Sequence, residues 1–307
     1  MNEARERPYA ILDVFTDTPF KGNPLAVVLD AQGLSDDAMQ VIAGEFNLSE
    51  TVFVFPAGEA SNTASIRIFT PSAELPFAGH PTVGTAVLLA KKKIGDVELP
   101  TDVAIALEEE IGLVSAGVVV KPGKLGHATF TLPVNPKEMS SDLSREHLAD
   151  ALGLNEDDIG FDKHRPIVYS AGVPFSLIPI SSLDVIKGIN PNPPAWEKAF
   201  ESAARDNAFI YARGGESERA AFHARMFWPG AGICEDPATG SAIAAFAGAI
   251  YDFEKLGDGH HTFLIEQGYE MGRASDITLE IDAEDGEFIA ARIGGSAVIV
   301  AEGVLYA

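Results

Sequence analysis

Cysteine is almost absent: Cys234 is the single one in 307 residues. That excludes an intrachain disulfide framework and any structural zinc site built from several thiolates. Basic residues are scarce as well, with 22 Lys and Arg against 45 Asp and Glu, a net charge of −23. No basic cluster exceeds Lys91-Lys92-Lys93, so nucleic acid and anionic membrane surfaces are not expected partners. Long apolar runs are missing too. The longest candidate, Ser241 to Tyr251, is too short to cross a bilayer and is broken by Gly248. The mixed-charge start, Met1 to Arg7, leads into no apolar segment with a small-residue cleavage site, so a cytoplasmic location is expected. A Walker loop and a strand-linked G-x-G-x-x-G are also lacking, and His260-His261 has no helical metal-pair spacing and reads as a solvated loop. Neither a metal nor a cofactor is expected.

What remains is the composition of a folded chain: 46% of residues are hydrophobic, with 29 Gly and 19 Pro punctuating short elements. The length suits one large domain or two ordinary ones. Strands are expected at Tyr9 to Phe15, Leu25 to Leu29 and Thr51 to Phe55, where β-branched and aromatic residues cluster. Ser35 reads as the N-cap of a helix ending near Phe46-Asn47, and Ser144 as the cap of another closed by Gly153. Further helices are expected at Pro81 to Lys93, around Trp196 to Ala204, and at Pro237 to Tyr251. The acid run Glu108-Glu109-Glu110 reads as an exposed strand end, and Lys121 to Gly126 as a linker. Strands and helices mix without βαβ alternation, so the fold class is α+β. Domain boundaries are expected at 1–122 with a returning strand at about 294–307, and at 123–293.

The two halves echo each other. Arg67-Ile68-Phe69-Thr70-Pro71 and Arg225-Met226-Phe227-Trp228-Pro229 share R-x-F-x-P at an offset of 158 (225 − 67). His80-Pro81-Thr82-Val83-Gly84-Thr85-Ala86 and Asp236-Pro237-Ala238-Thr239-Gly240-Ser241-Ala242 share [HD]-P-x-x-G-[ST]-A at 156 (236 − 80). Two motifs in the same order at nearly one offset point to a duplicated domain. A polar residue, Pro and small residues read as a helix start with Pro at its first position. Such a start leaves backbone N–H groups open to an anion. The same small residues also suit a central helix packed closely by strands.

Together with these motifs, Gly22-Asn23-Pro24, Asn47-Leu48-Ser49-Glu50-Thr51, Phe77-Ala78-Gly79-His80-Pro81, Gln267-Gly268 and Gly272-Arg273 resemble the PhzF family, the phenazine-biosynthesis isomerase and its relatives. The resemblance runs over nearly the whole chain. It implies a diaminopimelate-epimerase-like fold, two similar α+β domains with a curved sheet around a central helix, and an active site in the cleft between them. It also implies a homodimer and a cofactor-free isomerase acting on a small carboxylate.

Carried over by motif, Glu50 becomes the acid/base residue, with His80 and Asp236 as its polar partners. Gly79, Gly240 and Ser241 become the groups that hold the substrate carboxylate. In the founding enzyme the implied reaction moves a proton between ring carbons of a dihydro-hydroxyanthranilate. More distant relatives racemise amino acids with two cysteines, and Ala78 and Asp236 stand in those places here. Cys234 reads as a small buried hydrophobe. Read alone, Glu50 fits a solvated acid, His80 a capping or core histidine and Asp236 an N-cap. A non-thiol epimerase and a catalytically silent binding protein are the rival readings.

Overall fold

The computed structural model describes residues 5–201, 203 and 206–307. The chain divides into two compact units, one of Met1–Pro133 with Gly294–Ala307, the other of Val134–Ile293.

The first unit runs β1 (Glu6–Val14), β2 (Asn23–Val28), α1 (Asp36–Phe46), β3 (Glu50–Phe55), β4 (Ala64–Phe69), β5 (Glu74–Leu75), α2 (Gly79–Ile94), β6 (Thr101–Glu109), β7 (Gly112–Val120) and β8 (Leu125–Thr131). The two short helical crossovers set its topology. β2 and β3, joined through α1, are parallel, and so are β4 and β6, joined through α2. The other neighbours, β1–β2, β3–β4, β6–β7 and β7–β8, are antiparallel. The Lys121 to Gly126 stretch expected as a linker is instead the turn between β7 and β8, closed by Lys121 N–H donating to Leu125 O. The boundary therefore falls after Pro133, because β8 completes its ladder with β7 before the chain leaves the unit.

The second unit contributes β9 (Lys137–Met139), α3 (Arg145–Leu152), β10 (Ile167–Ser170), β11 (Pro174–Ile180), α4 (Leu183–Lys187), α5 (Pro193–Ala199), β12 (Ala208–Arg213), β13 (Phe222–Trp228), β14 (Ile233–Asp236), α6 (Gly240–Glu254), β15 (Gly259–Gln267) and β16 (Ser275–Glu284). The pattern repeats: β11 and β12 are parallel, as are β13 and β15, and the pairs β10–β11, β12–β13 and β15–β16 are antiparallel. The last strand, β17 (Glu287–Tyr306), follows a tight turn in which Asp285 and Gly286 both have positive φ. From Gly294 onward it belongs to the first unit, where it pairs with β1 from Tyr306 opposite Glu6 to Ala297 opposite Val14. Ile299 N–H also donates to Lys124 O at 3.1 Å, beside β8. The ring of paired strands thus closes around α2.

Each unit has a central helix. Twelve of the 16 residues of α2 are buried, and α6 buries ten of its 15, so both are apolar nearly all round. The outer helices are amphipathic and cover one sheet face. Met39, Ile42 and Ala43 of α1 pack on Val28, Phe53 and Phe69. Leu148 and Leu152 of α3, Ile186 of α4 and Trp196 of α5 pack on Ile178, Ile180 and Phe227. The helix expected around Trp196 to Ala204 ends at Ala199, and its last expected residue, Ala204, lies outside the described residues. Among the described residues no helix is long and apolar enough to cross a membrane.

The internal repeat has structural content. Arg67 grips Glu74 with two parallel bonds of 2.6 Å, and its guanidinium lies 5.2 Å from the Phe69 ring. Arg225 grips Glu235 at 2.8 and 2.9 Å and lies 4.9 Å from the Phe227 ring. R-x-F therefore encodes a fork-to-carboxylate pair over an aromatic face, tying a strand to its short neighbour in both units. A third correspondence carries no shared motif. Glu108 accepts the backbone N–H groups of Gly58 and Glu59, and Glu266 those of Glu216 and Ser217.

Candidate active site

Helix α1 ends at Asn47, whose φ of 50° is the left-handed cap that Asn tolerates better than most residues. The chain then turns through Leu48 and Ser49 and enters β3 at Glu50, opposite Leu25 of β2. Glu50 is thus fixed at the first rung of a parallel ladder, its side chain 16% exposed. Gly22, in the neighbouring Gly-Asn-Pro stretch, has φ +65°, and a Cβ there would lie 2.2 Å from Val14 O. Only glycine lets the chain reverse that tightly into β2.

His80 is the second residue of α2 and is 4% exposed. Burial pushes its imidazole down to about 3, so the ring is neutral at neutral pH. Its Nε2 lies 3.1 Å from Glu50 Oε2, within reach of a proton but off the line of a well-directed hydrogen bond. His80 is thus an uncharged neighbour of the Glu50 carboxyl group. Gly79 is the first residue of α2, and the N-cap, Ala78, has no side chain to satisfy the first-turn N–H groups.

The second unit shows the matching start. Gly240 and Ser241 are the first two residues of α6, and the N-cap residue Thr239 does not cap the turn with its side chain. Its hydroxyl donates to Asp236 Oδ2 at 2.5 Å and accepts from Gln267 Nε2 at 2.9 Å. Gln267 also donates to Asp236 O and accepts the Thr239 N–H. Gly268, with φ +76°, brings the next loop against Pro237, where a Cβ would lie 2.5 Å from Pro237 O. Asp236 is therefore held by its own turn and by one buried amide side chain.

The structure brings Glu50 and His80 together, with Gly79 beside them in the chain. Separately, it brings Asp236 together with the start of α6. Pro237 does not open the helix as expected. Asp236 is the last residue of β14, opposite Met226, and α6 begins at Gly240; in the first unit Pro81 is the third helical residue. Asp236 is accordingly not an N-cap.

Cys234 is exposed on β14 instead of buried, because that short strand leaves the side chain facing out. His260 and His261 lie in β15, not in a loop, and His260 pairs with Asp282 at 2.8 Å. Among the described residues no cluster suits a metal ion.

Two further buried side chains pack on these helix starts. Gln267, part of the Gln267-Gly268 motif, is one. Glu109, expected on an exposed strand end, is 8% exposed. Its alternation with Ile105 and Leu107 on β6, which puts all three on the inward face, was the available signal. Glu109 Oε1 lies 2.9 Å from the hydroxyl of Thr82, in the first turn of α2, and burial pushes its carboxyl up to about 8.

Comparison with known proteins places the chain in a family. The family model described as phenazine biosynthesis-like protein matches residues 12–303. An uncharacterized isomerase of Mesorhizobium japonicum is 45% identical over 306 residues, 98% of this chain and 99% of that protein. The trans-2,3-dihydro-3-hydroxyanthranilate isomerase of Pseudomonas aeruginosa is 31% identical over 298 residues, covering 97% and 99%. Among solved structures, a PhzF-family phenazine biosynthesis protein of Bacillus anthracis superposes with a TM-score of 0.87 at 26% identity, covering 99% and 100%. With a family model spanning almost the whole length and relatives matched end to end, the chain belongs to the PhzF family of phenazine biosynthesis-like proteins.

Proposed function

We propose that this protein is a cofactor-independent isomerase that moves a proton on a small carboxylate, with Glu50 as its acid/base group. Membership of the family makes it an isomerase. The observation that carries the finer reading is the buried neutral His80, 3.1 Å from the Glu50 carboxylate. A cation in that place would hold the proton-free form of Glu50 too firmly for it to act as a base; a neutral ring does not. In the proposed reaction Glu50 removes a proton from an activated carbon as that C–H bond breaks. The electron pair spreads toward the substrate carboxylate, and Glu50 returns the proton at a second carbon while the double bond shifts. His80 and Asp236 orient the substrate. The first-turn N–H groups at Gly79, Gly240 and Ser241 receive its carboxylate and the developing negative charge.

The substrate class is a small cyclic carboxylate resembling the one named for the Pseudomonas relative. Incubation with trans-2,3-dihydro-3-hydroxyanthranilate in D2O tests both parts. Wild-type protein incorporates solvent deuterium, and Glu50→Gln lowers that rate by roughly 10² to 10⁴. Equal incorporation by the variant removes Glu50 from its role. Inversion of a stereocentre without a double-bond shift assigns epimerisation instead. A homodimer is proposed alongside, on the resemblance alone, and sedimentation equilibrium reads it directly.

A further inference from the structure

The second unit contains a cavity of about 260 Å³ between the first turn of α3 and the loop from Ile159 to Pro166. One of its walls is locked. His164, 4% exposed, holds Tyr211 Oη at 2.9 Å through Nδ1 and Glu254 Oε1 at 2.9 Å through Nε2. The Phe161 ring stacks on the imidazole at 4.4 Å. Arg213 ties the network off, bonding Glu254 at 2.7 Å and Asp162 at 3.3 Å. Asp162, the acid that lines the cavity, thus has its countercharge already.

Two arginines in the lining do not. Arg145 spends its Nη2 on the carbonyls of Glu156 and Ile159, which fixes the plane of the group and leaves Nε and Nη1 to donate elsewhere. Arg165 lies 5.4 Å from the Phe253 ring. Among the described residues neither arginine is within ion-pairing distance of a carboxylate, in a chain whose acids outnumber its bases 45 to 22. Gly160 also lines the cavity. A Cβ there would meet His164 O at 3.2 Å and Arg145 Nη2 at 3.5 Å, so the missing side chain leaves room beside that guanidinium. An aromatic wall, a fixed arginine, a second arginine and a volume suited to a few heavy atoms form a recognisable chemical set.

We propose that this cavity binds a small oxyanion, a phosphate or carboxylate group received by Arg145 and Arg165, using none of the residues assigned to proton transfer. Titration calorimetry of the full chain with inorganic phosphate and, in a second arm, succinate tests it in low-chloride buffer. Saturable binding is expected in at least one arm, weakened roughly tenfold or more by Arg165→Gln. Tighter phosphate binding identifies a phosphorylated ligand and tighter succinate binding a carboxylate, and either supports the clamp. Arg145 also supports the loop carbonyls, so Arg145→Gln is read only alongside a thermal melt. Amide chemical shifts supply the independent measurement, with Gly160 and Phe161 moving on phosphate addition in the wild type and not in Arg165→Gln. The proposal is overturned by no saturable binding in either arm, by binding unchanged in Arg165→Gln, or by shifts confined to Gly79, Gly240 and Ser241. None of these results bears on the Glu50 deuterium experiment.

Discussion

A hydroxyl has one proton, and that limit decides the state of Glu109. Thr82 Oγ1 stands 2.9 Å from both Ala78 O and Glu109 Oε1. The carbonyl can only accept, so Thr82 satisfies both contacts when Glu109 is a carboxylic acid donating to it. Its folded-state carboxyl, near 8, lies above the ordinary value of 4.5. The folded form then holds a proton that the unfolded chain releases, and this contribution to stability is complete below about 4.5 and lost as pH rises through 8. His223 behaves alike for a different reason. Burial opposes its charge, but Glu266 at 3.2 Å and Glu270 at 2.9 Å outweigh it and push the imidazole up to about 9. Its contribution is complete below 6.5 and lost as pH rises through 9. Urea unfolding should therefore show stability falling between pH 7 and 9. Glu109→Gln, whose amide donates to Thr82 without an ionisable proton, should flatten that fall and be the more stable protein at pH 9 by about 1 kcal/mol or more. A variant as pH-sensitive as wild type would mean Glu109 is ionised throughout.

At the scale of elements, the repeated arginine–glutamate grip does the same job under different solvation. Arg67 and Glu74 are 32% and 31% exposed, whereas Arg225 and Glu235 are 8% and 14%. Arg225 also donates to the carbonyls of Ile186 and Ile189, anchoring the end of α4. Breaking the buried pair leaves an uncompensated charge, so Glu235→Gln should cost roughly 3 kcal/mol. Glu74→Gln should cost about 1 kcal/mol or less, and paired chemical denaturation curves separate the two. Gln267→Ala should lower turnover while leaving the melting temperature within a few degrees, since it frees the Asp236 turn more than it opens the core. This scale also marks where sequence is legible. Ser35 and Ser144 cap their helices, and Asn47 and Gly153 close them, because those preferences are local. Glu50 and His80 were legible as motif members, but their 3.1 Å approach depends on β3 and α2 meeting. Asp236 misled because Pro237 resembles a helix opening, while the bridge to Met226 and the diverted Thr239 hydroxyl keep that residue in the strand. Glu109 was hidden among three consecutive acids of which only the inward one is buried.

For the whole molecule, the decisive feature is the path of β17. Its first residues belong to one unit and those from Gly294 onward to the other, where they pair along the full length of β1. Deleting residues 294–307 strips β1 of that partner and should abolish the cooperative unfolding of the first unit, read by amide exchange in β1 and β2. The 134–293 unit should retain its protection pattern, since its own ladders are internal to it. The same strand path imposes an order on synthesis. Glu6 to Val14 leave the ribosome early and wait, one edge bare, while the residues of the other unit are made; at about 5–20 residues per second that interval is on the order of ten seconds. The second unit is born with all its partners and can close first. Through that interval the nascent N-terminal half offers an unpaired strand edge to any chaperone, or any neighbouring copy, that reaches it before its own C-terminus does.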